Sequence, residues 1–376
     1  MTPWPVPVTV AALAGLVLAL NLGLPLEPAD PYHLDRVNQI DRFGTLDYDL
    51  SAHPKVNGVG WLYEAVLADL LQIPLAGSLL VRLHGVFGLL LYATALAALR
   101  RWLPPVGTWM WIAALLVPVV FHQFVLVKND LFGAIPALVV LGWLVTRAET
   151  ARRGEIAWAG WLAGLAVAVK ATSFPLVLVM PAILIVRRSD RWSSIGAVAA
   201  GSAAGVVAGG LAFTLVENWR WYADPLLPFL AGGADDNRNT SIAQALVSVG
   251  RFGLSLFDLG LATRPIWPGR GGWGTTFGLP FVWAVVVLVL RYRDSAAGRR
   301  VLWVAATYFL LFAVVYTDAD VAHRLVIAPG ILVIAAALHA AGAAGVSRWL
   351  RRALAAIVVL SAAQIVRSAV LYFMRA

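Results

Sequence analysis

The sequence predicts an all-α, polytopic membrane protein of about eleven transmembrane helices, and three observations predict it. Sixty per cent of the 376 residues are hydrophobic and 13% are charged, where soluble domains carry about 25% charged residues. Apolar stretches of about 20 residues, long enough to cross ~30 Å of hydrocarbon, recur along the whole chain between short polar breaks. Basic residues then gather in five of those breaks, as expected of cytoplasmic loops. No soluble core absorbs so much apolar surface, so residues 1–376 read as a single membrane domain with mean hydropathy +0.79.

The five clusters are Arg100-Arg101, Arg147 with Arg152-Arg153, Arg187-Arg188 with Arg191, Arg291 to Arg300, and Arg348 with Arg351-Arg352. They hold fifteen of the 29 basic residues and four of the 20 acidic ones, leaving fourteen basic against sixteen acidic elsewhere. With all five inside, the spans fall near 6–24, 77–99, 108–126, 131–146, 157–170, 173–186, 194–216, 276–290, 301–316, 325–343 and 353–372, and the chain starts inside and ends outside.

Two segments admit a second reading. Trp158 to Val186 is one long helix or a broken pair, and Ile242 to Leu261 is a further span or a helix at the interface. Either alternative alone would carry an arginine cluster outside, and Arg251 and Asp258 make a lipid-facing span costly. The broken pair and the interfacial helix are therefore expected.

The net charge of +9 follows from that topology and implies no nucleic-acid partner. No cysteine is present, which excludes disulfides and thiolate metal sites. The first apolar stretch, Val6 to Leu24, lacks a basic leader and a small-residue cleavage site and reads as a retained span.

Two long loops, Pro25–Pro74 and Glu217–Thr275, remain on the outer side. The first carries amphipathic patterns at Pro31–Phe43 and Val59–Leu71, the latter with Trp61, Leu62, Ala65, Val66 and Leu70 at helical spacing, as for interfacial helices. The second carries Trp219, Trp221, Trp267 and Trp273, headgroup-level anchors by type. Its run Pro268–Gly274 is no phosphate cradle, since neither a helix start nor a lysine follows.

Only three lysines stand against twenty-six arginines, and Lys55, Lys128 and Lys170 all fall on the outer side. A compact ammonium suits a phosphate differently from a guanidinium fork, although snorkelling explains each singly. Four segments share that face. Glu27-Pro28-Ala29-Asp30-Pro31-Tyr32-His33-Leu34 sets a carboxylate after the first span, and Lys128-Asn129-Asp130 forms a tight turn. Gly160 to Pro181 has small residues at Gly160, Gly164, Ala166 and Ala168 and then Lys170-Ala171-Thr172. His323-Arg324-Leu325-Val326-Ile327-Ala328-Pro329 opens a late span after Asp318 and Asp320.

In this order and spacing the chain resembles the GT-C integral-membrane glycosyltransferases, the superfamily of protein O-mannosyltransferases and lipid A aminoarabinose transferases. The segment Trp221 to Phe229, with Asp224, is similar to a Gly-Asn-Pro-x-x-Pro-Phe segment there. The chain departs in placing Pro31 after Asp30, where the mannosyltransferases have a second acid, and in being short.

The resemblance implies a sugar donor on a polyprenyl phosphate, no nucleotide site and no obligatory cofactor or metal. The acceptor is a hydroxyl of a glycan, lipid or protein, and the expected location is the plasma (inner) membrane with the site facing the periplasm or exterior. Transfer needs a base for the acceptor and cations for the departing phosphate. The resemblance gives Asp30 as base and Asp130 as second acid, with Lys170, Arg324, Lys55 and Lys128 as phosphate ligands and Tyr32, His33, Asn129 and Asp224 as substrate-lining residues. Plainer roles exist: Asp30 and Asp130 suit helix N-caps, Lys128 suits a pair with Asp130, and His33 and His53 suit surface positions better than a metal site. A transporter or flippase of a lipid-linked sugar is the rival reading, but it should show inverted repeats and mid-bilayer charges. The other is an O-antigen-type polymerase or ligase, which would use outer-loop arginines such as Arg220, Arg238 and Arg251.

Overall fold

A computed structural model describes residues 5–23, 31–43, 62–71, 83–104, 111–124, 129–184, 191–222, 239–259, 276–316, 323–341 and 348–373. The helices in chain order are α1 (Pro5–Gly23), α2 (Pro31–Phe43), α3 (Leu62–Leu71), α4 (His84–Trp102), α5 (Ile112–Leu115), α6 (Pro118–Gln123), α7 (Asp130–Thr146) and α8 (Arg153–Val169). After a 3₁₀ turn at Ala171–Ser173 come α9 (Pro175–Leu184), α10 (Arg191–Ala208), α11 (Leu211–Tyr222), α12 (Ile242–Ser255), α13 (Gly278–Leu290) and α14 (Ala296–Val315). A second 3₁₀ turn, His323–Val326, leads into α15 (Ile327–Ala340), and α16 (Arg348–Phe373) ends the described chain.

α15 is the axis of the bundle. All but one of its fourteen residues are buried, and a helix apolar all round belongs in such a position. α13, α14 and α7 surround it and contribute Trp283, Ala284, Phe309, Phe312, Leu138 and Leu141 to one continuous core. Outward, Leu90, Leu178, Phe213, Val289, Leu310 and Leu360 are exposed. Trp192, Trp219 and Trp349 are exposed near helix ends, where aromatic belts form in membrane proteins. An apolar exterior of this extent marks an integral membrane protein.

Among the described residues, two helices are long and apolar enough to cross a membrane unaided, Ala296–Val315 and the continuous His323–Ala340. Two of the expected single spans, 108–126 and 194–216, are interrupted, each for an identifiable reason. Pro118, with no N–H to give, separates α5 from α6. α10 and α11 meet at a 70° bend, where Gly210 adopts φ 78°, a region glycine enters freely.

α8 and α10 pack backbone to backbone. A Cβ on Gly160 would meet the Val198 carbonyl at 2.6 Å, and one on Gly164 the Ser202 carbonyl at 2.0 Å. Small residues at such spacing let helices approach without a side-chain layer between them. The register, 160 beside 198 and 164 beside 202, runs in the same direction, so α8 and α10 are parallel. The chain between them must therefore turn back, and it does so at Lys170, whose backbone is extended at φ −144° and ψ 106°. Trp158 to Val186 is thus a broken pair.

The same logic sorts the polar breaks. Arg300, at the start of α14, pairs with Glu149 at 2.8 Å and reaches the Val145 carbonyl at 3.5 Å. His339, near the end of α15, contacts the Pro104 carbonyl at 2.7 Å. The segments at 100–104, 147–153, 191, 291–300 and 348 consequently share one end of the bundle, opposite the starts of α7 and α15.

α2 coincides with its expected bounds, and α3 covers Leu62–Leu71 of the expected Val59–Leu71, with 59–61 outside the described residues. The buried face of α3 differs from the expected stripe: Tyr63, Glu64, Leu67 and Ala68 turn inward. Arg36 of α2 explains it by pairing with Glu64 at 3.7 Å, with side chains 7% and 0% exposed. This pair of helices forms a small second core with Val37, Val169 and Phe132. α12 is an amphipathic helix whose Phe252 packs on Phe309 and Phe312 of α14, while Ile242, Leu246 and Leu254 face outward.

Candidate active site

The site lies where three chain ends converge, the start of α7, the end of α8 and the 3₁₀ turn before α15. Asn129 precedes the first residue of α7 without capping it through its side chain. Its amide instead donates to the Val169 carbonyl at 2.8 Å, and its Oδ1 accepts from Lys170 Nζ at 3.2 Å. That carbonyl is among the last of α8, which an ordinary helix end leaves without a partner.

Asp130 is the centre of the arrangement. Its carboxylate is 1% exposed and pairs through Oδ1 with Lys170 Nζ at 2.6 Å and through Oδ2 with Arg324 Nε at 3.4 Å. Burial of a charge is tolerable only with such partners, and Asp130 also sits in the first turn of α7, the end of a helix that favours an anion. One carboxylate thereby holds two cations from distant parts of the sequence.

The cations keep capacity for a further anion. Lys170 is 24% and Arg324 36% exposed at the side chain. Asp130 and Asn129 occupy two of the three ammonium donors of Lys170. Arg324 meets Asp130 through Nε, and among the described residues its terminal fork has no other partner. A guanidinium fork is shaped for a phosphate or carboxylate.

Surrounding residues fix these groups. Gly133 is needed because a Cβ there would lie 2.5 Å from that of Lys170. Ser173 hydrogen-bonds Tyr308 of α14 and so anchors the turn after Lys170. Thr172, between them, is buried, and its hydroxyl has no partner among the described residues. Phe132 and Val169 support α2 and α3, with Tyr63 and Phe132 ring centroids 4.8 Å apart, so the first loop's helices pack directly beside the site.

Of the expected site residues, Asp130, Asn129, Lys170 and Arg324 are together. Tyr32 and His33 stand in the first turn of α2. Asp30, Lys55, Lys128 and Asp224 lie outside the described residues. Asp130 is engaged with both cations, an arrangement suited to holding them. Gly133, Ser173 and the Arg36–Glu64 pair escaped sequence reasoning, because each depends on a neighbour far away in the chain.

No curated protein matches the chain. The fold is similar to that in the crystal structure of ArnT from Cupriavidus metallidurans bound to undecaprenyl phosphate. The TM-score is 0.59 at 17% identity, over 88% of this chain and 59% of that one. This chain therefore corresponds to about three-fifths of the neighbour's length and shares its GT-C-like all-α architecture. The model of glycosyltransferase family 87 matches residues 65–317, which include Asp130 and Lys170 and stop short of Arg324. With more than half of its length matched, the chain belongs to glycosyltransferase family 87.

Proposed function

We propose that the chain transfers a sugar from a polyprenyl-phosphate donor to an acceptor hydroxyl on the non-cytoplasmic face of the membrane, with inversion at the anomeric carbon. The observation that carries this reading is the double pairing of Asp130 with Lys170 and Arg324, which presents two partly open cations side by side. Family membership supports transfer rather than transport, and the undecaprenyl phosphate bound to ArnT supports a lipid phosphate as the ligand.

In the step envisaged, the acceptor oxygen attacks the anomeric carbon as the bond from that carbon to the phosphate oxygen breaks. The acceptor proton passes to Asp30, and the polyprenyl phosphate leaves with the electron pair. Lys170 and Arg324 stabilise the negative charge that grows on the phosphate, with the starts of α7 and α15 adding partial positive charge. Lys55 and Lys128 are further candidate phosphate ligands, and Tyr32, His33, Asn129 and Asp224 line the substrate. The step calls for no obligatory metal.

The positive-inside rule supports the orientation: the basic breaks share the end opposite the site, so the site faces the periplasm or exterior of a plasma membrane. Eleven spans follow from the same assignment. The acceptor is a glycan, lipid or protein hydroxyl.

The test is sugar transfer from a radiolabelled polyprenyl-phosphate sugar by the purified chain in lipid vesicles, compared with Asp30→Asn. Covalent product from the wild type and its loss in the variant are expected. Full activity in Asp30→Asn removes the base, and labelled donor crossing vesicles without product removes the transferase reading.

A further inference from the structure

Arg324 is fixed by more than Asp130. Its neighbour His323 is fully buried, lying nearly flat against Phe277 with ring centroids 5.7 Å apart and 19° between planes. Phe252 of α12 meets the imidazole edge-on at 5.7 Å and 70°. His323 Nε2 is 2.7 Å from Ser255 Oγ, and that hydroxyl also lies 2.8 Å from the Phe252 carbonyl. A serine has one proton to give; directed to the carbonyl, it leaves Oγ to accept from the imidazole N–H.

The slot around the ring is itself built tightly. A Cβ on Gly330 would fall 2.2 Å from the Phe277 ring, and Phe277 stacks on Phe281 at 5.2 Å. Phe252 is held by Phe309 and Phe312. His323 is therefore held by two aromatic rings and at one nitrogen, and it begins the four-residue 3₁₀ turn that carries Arg324. An arginine side chain loses much rotamer freedom when it grips a ligand, so a fixed backbone beneath it reduces what binding must supply.

We propose that His323, held by Ser255, is a positioning residue that sets Arg324 for the lipid phosphate. The proposal rests on the reading of Arg324 as a phosphate ligand. It makes α12, whose Ile242, Leu246 and Leu254 face outward, the support for a cation of the site although α12 contributes no charge to it.

The experiment is a double-mutant cycle read by the binding of undecaprenyl phosphate to the purified full chain. Ser255→Ala removes the hydrogen bond alone, and His323→Phe keeps an aromatic ring in the slot. Each is expected to weaken binding about fivefold in the wild-type background, the scale of one hydrogen bond. In an Arg324→Gln background the same changes should add less than about twofold, since partners that act through one another are not additive. Ser255→Thr should retain wild-type binding. Equal weakening in both backgrounds reduces His323 to a core residue and overturns the proposal. So does unchanged binding in Ser255→Ala and His323→Phe while Arg324→Gln binds weakly, an outcome that leaves the proposed function standing. Unchanged binding in Arg324→Gln itself overturns Arg324 as a phosphate ligand, and the positioning role falls with it.

Discussion

Gly133 and Lys170 stand so close that a methyl group on the glycine would lie 2.5 Å from the lysine Cβ. Gly133→Ala should therefore push Lys170 away from Asp130 without removing a charge. A displacement of about 1 Å in a working group costs on the order of a hundredfold, so the rate of sugar transfer should fall by about that factor. Gly154→Ala, where a Cβ meets nothing within 4 Å, should transfer at the wild-type rate.

Asp130→Asn tests the carboxylate that holds both cations. Removing one partner of a fully buried ion pair costs about 3–5 kcal/mol. Lys170 and Arg324 remain partly exposed at 24% and 36%, so solvent relieves some of that loss and about 1–3 kcal/mol is expected. Thermal unfolding in detergent should show a lowered midpoint, accompanied by near-complete loss of transfer.

The Arg36–Glu64 pair offers a cleaner case, because its side chains are 7% and 0% exposed. Glu64→Leu alone leaves a buried guanidinium and should cost about 3–5 kcal/mol. Arg36→Met with Glu64→Leu replaces both charges and should recover most of that stability. The comparison is made by thermal unfolding of the two variants against the wild type.

Thr172 separates stability from activity. Its buried hydroxyl lacks a partner among the described residues, a state that costs about 1–3 kcal/mol. Thr172→Val should raise the unfolding midpoint while lowering the transfer rate, the trade expected of a group kept for a ligand. Thr172→Ser should transfer at close to the wild-type rate.

Local signals account for the parts that were legible in sequence. Proline at the head of α2 and the amphipathic pattern behind it mark Pro31–Phe43 as a helix. The resemblance brings Lys170 and Arg324 to one place, and the structure joins them through Asp130. The inward turn of Glu64 was not legible, because its reason is Arg36 on another helix. Nor was the bend at Gly210, since a glycine permits a positive φ without requiring one. The link from Ser255 to His323 spans 68 residues, and no spacing rule reaches that far.

Binding of undecaprenyl phosphate to the wild-type chain, Lys170→Gln and Arg324→Gln, measured on purified protein in one detergent, tests the central claim most directly. If the two cations form the phosphate site, each variant binds about ten- to a hundredfold more weakly, the range for a charge-assisted hydrogen bond lost to a phosphate. Wild-type affinity in both variants would contradict the account.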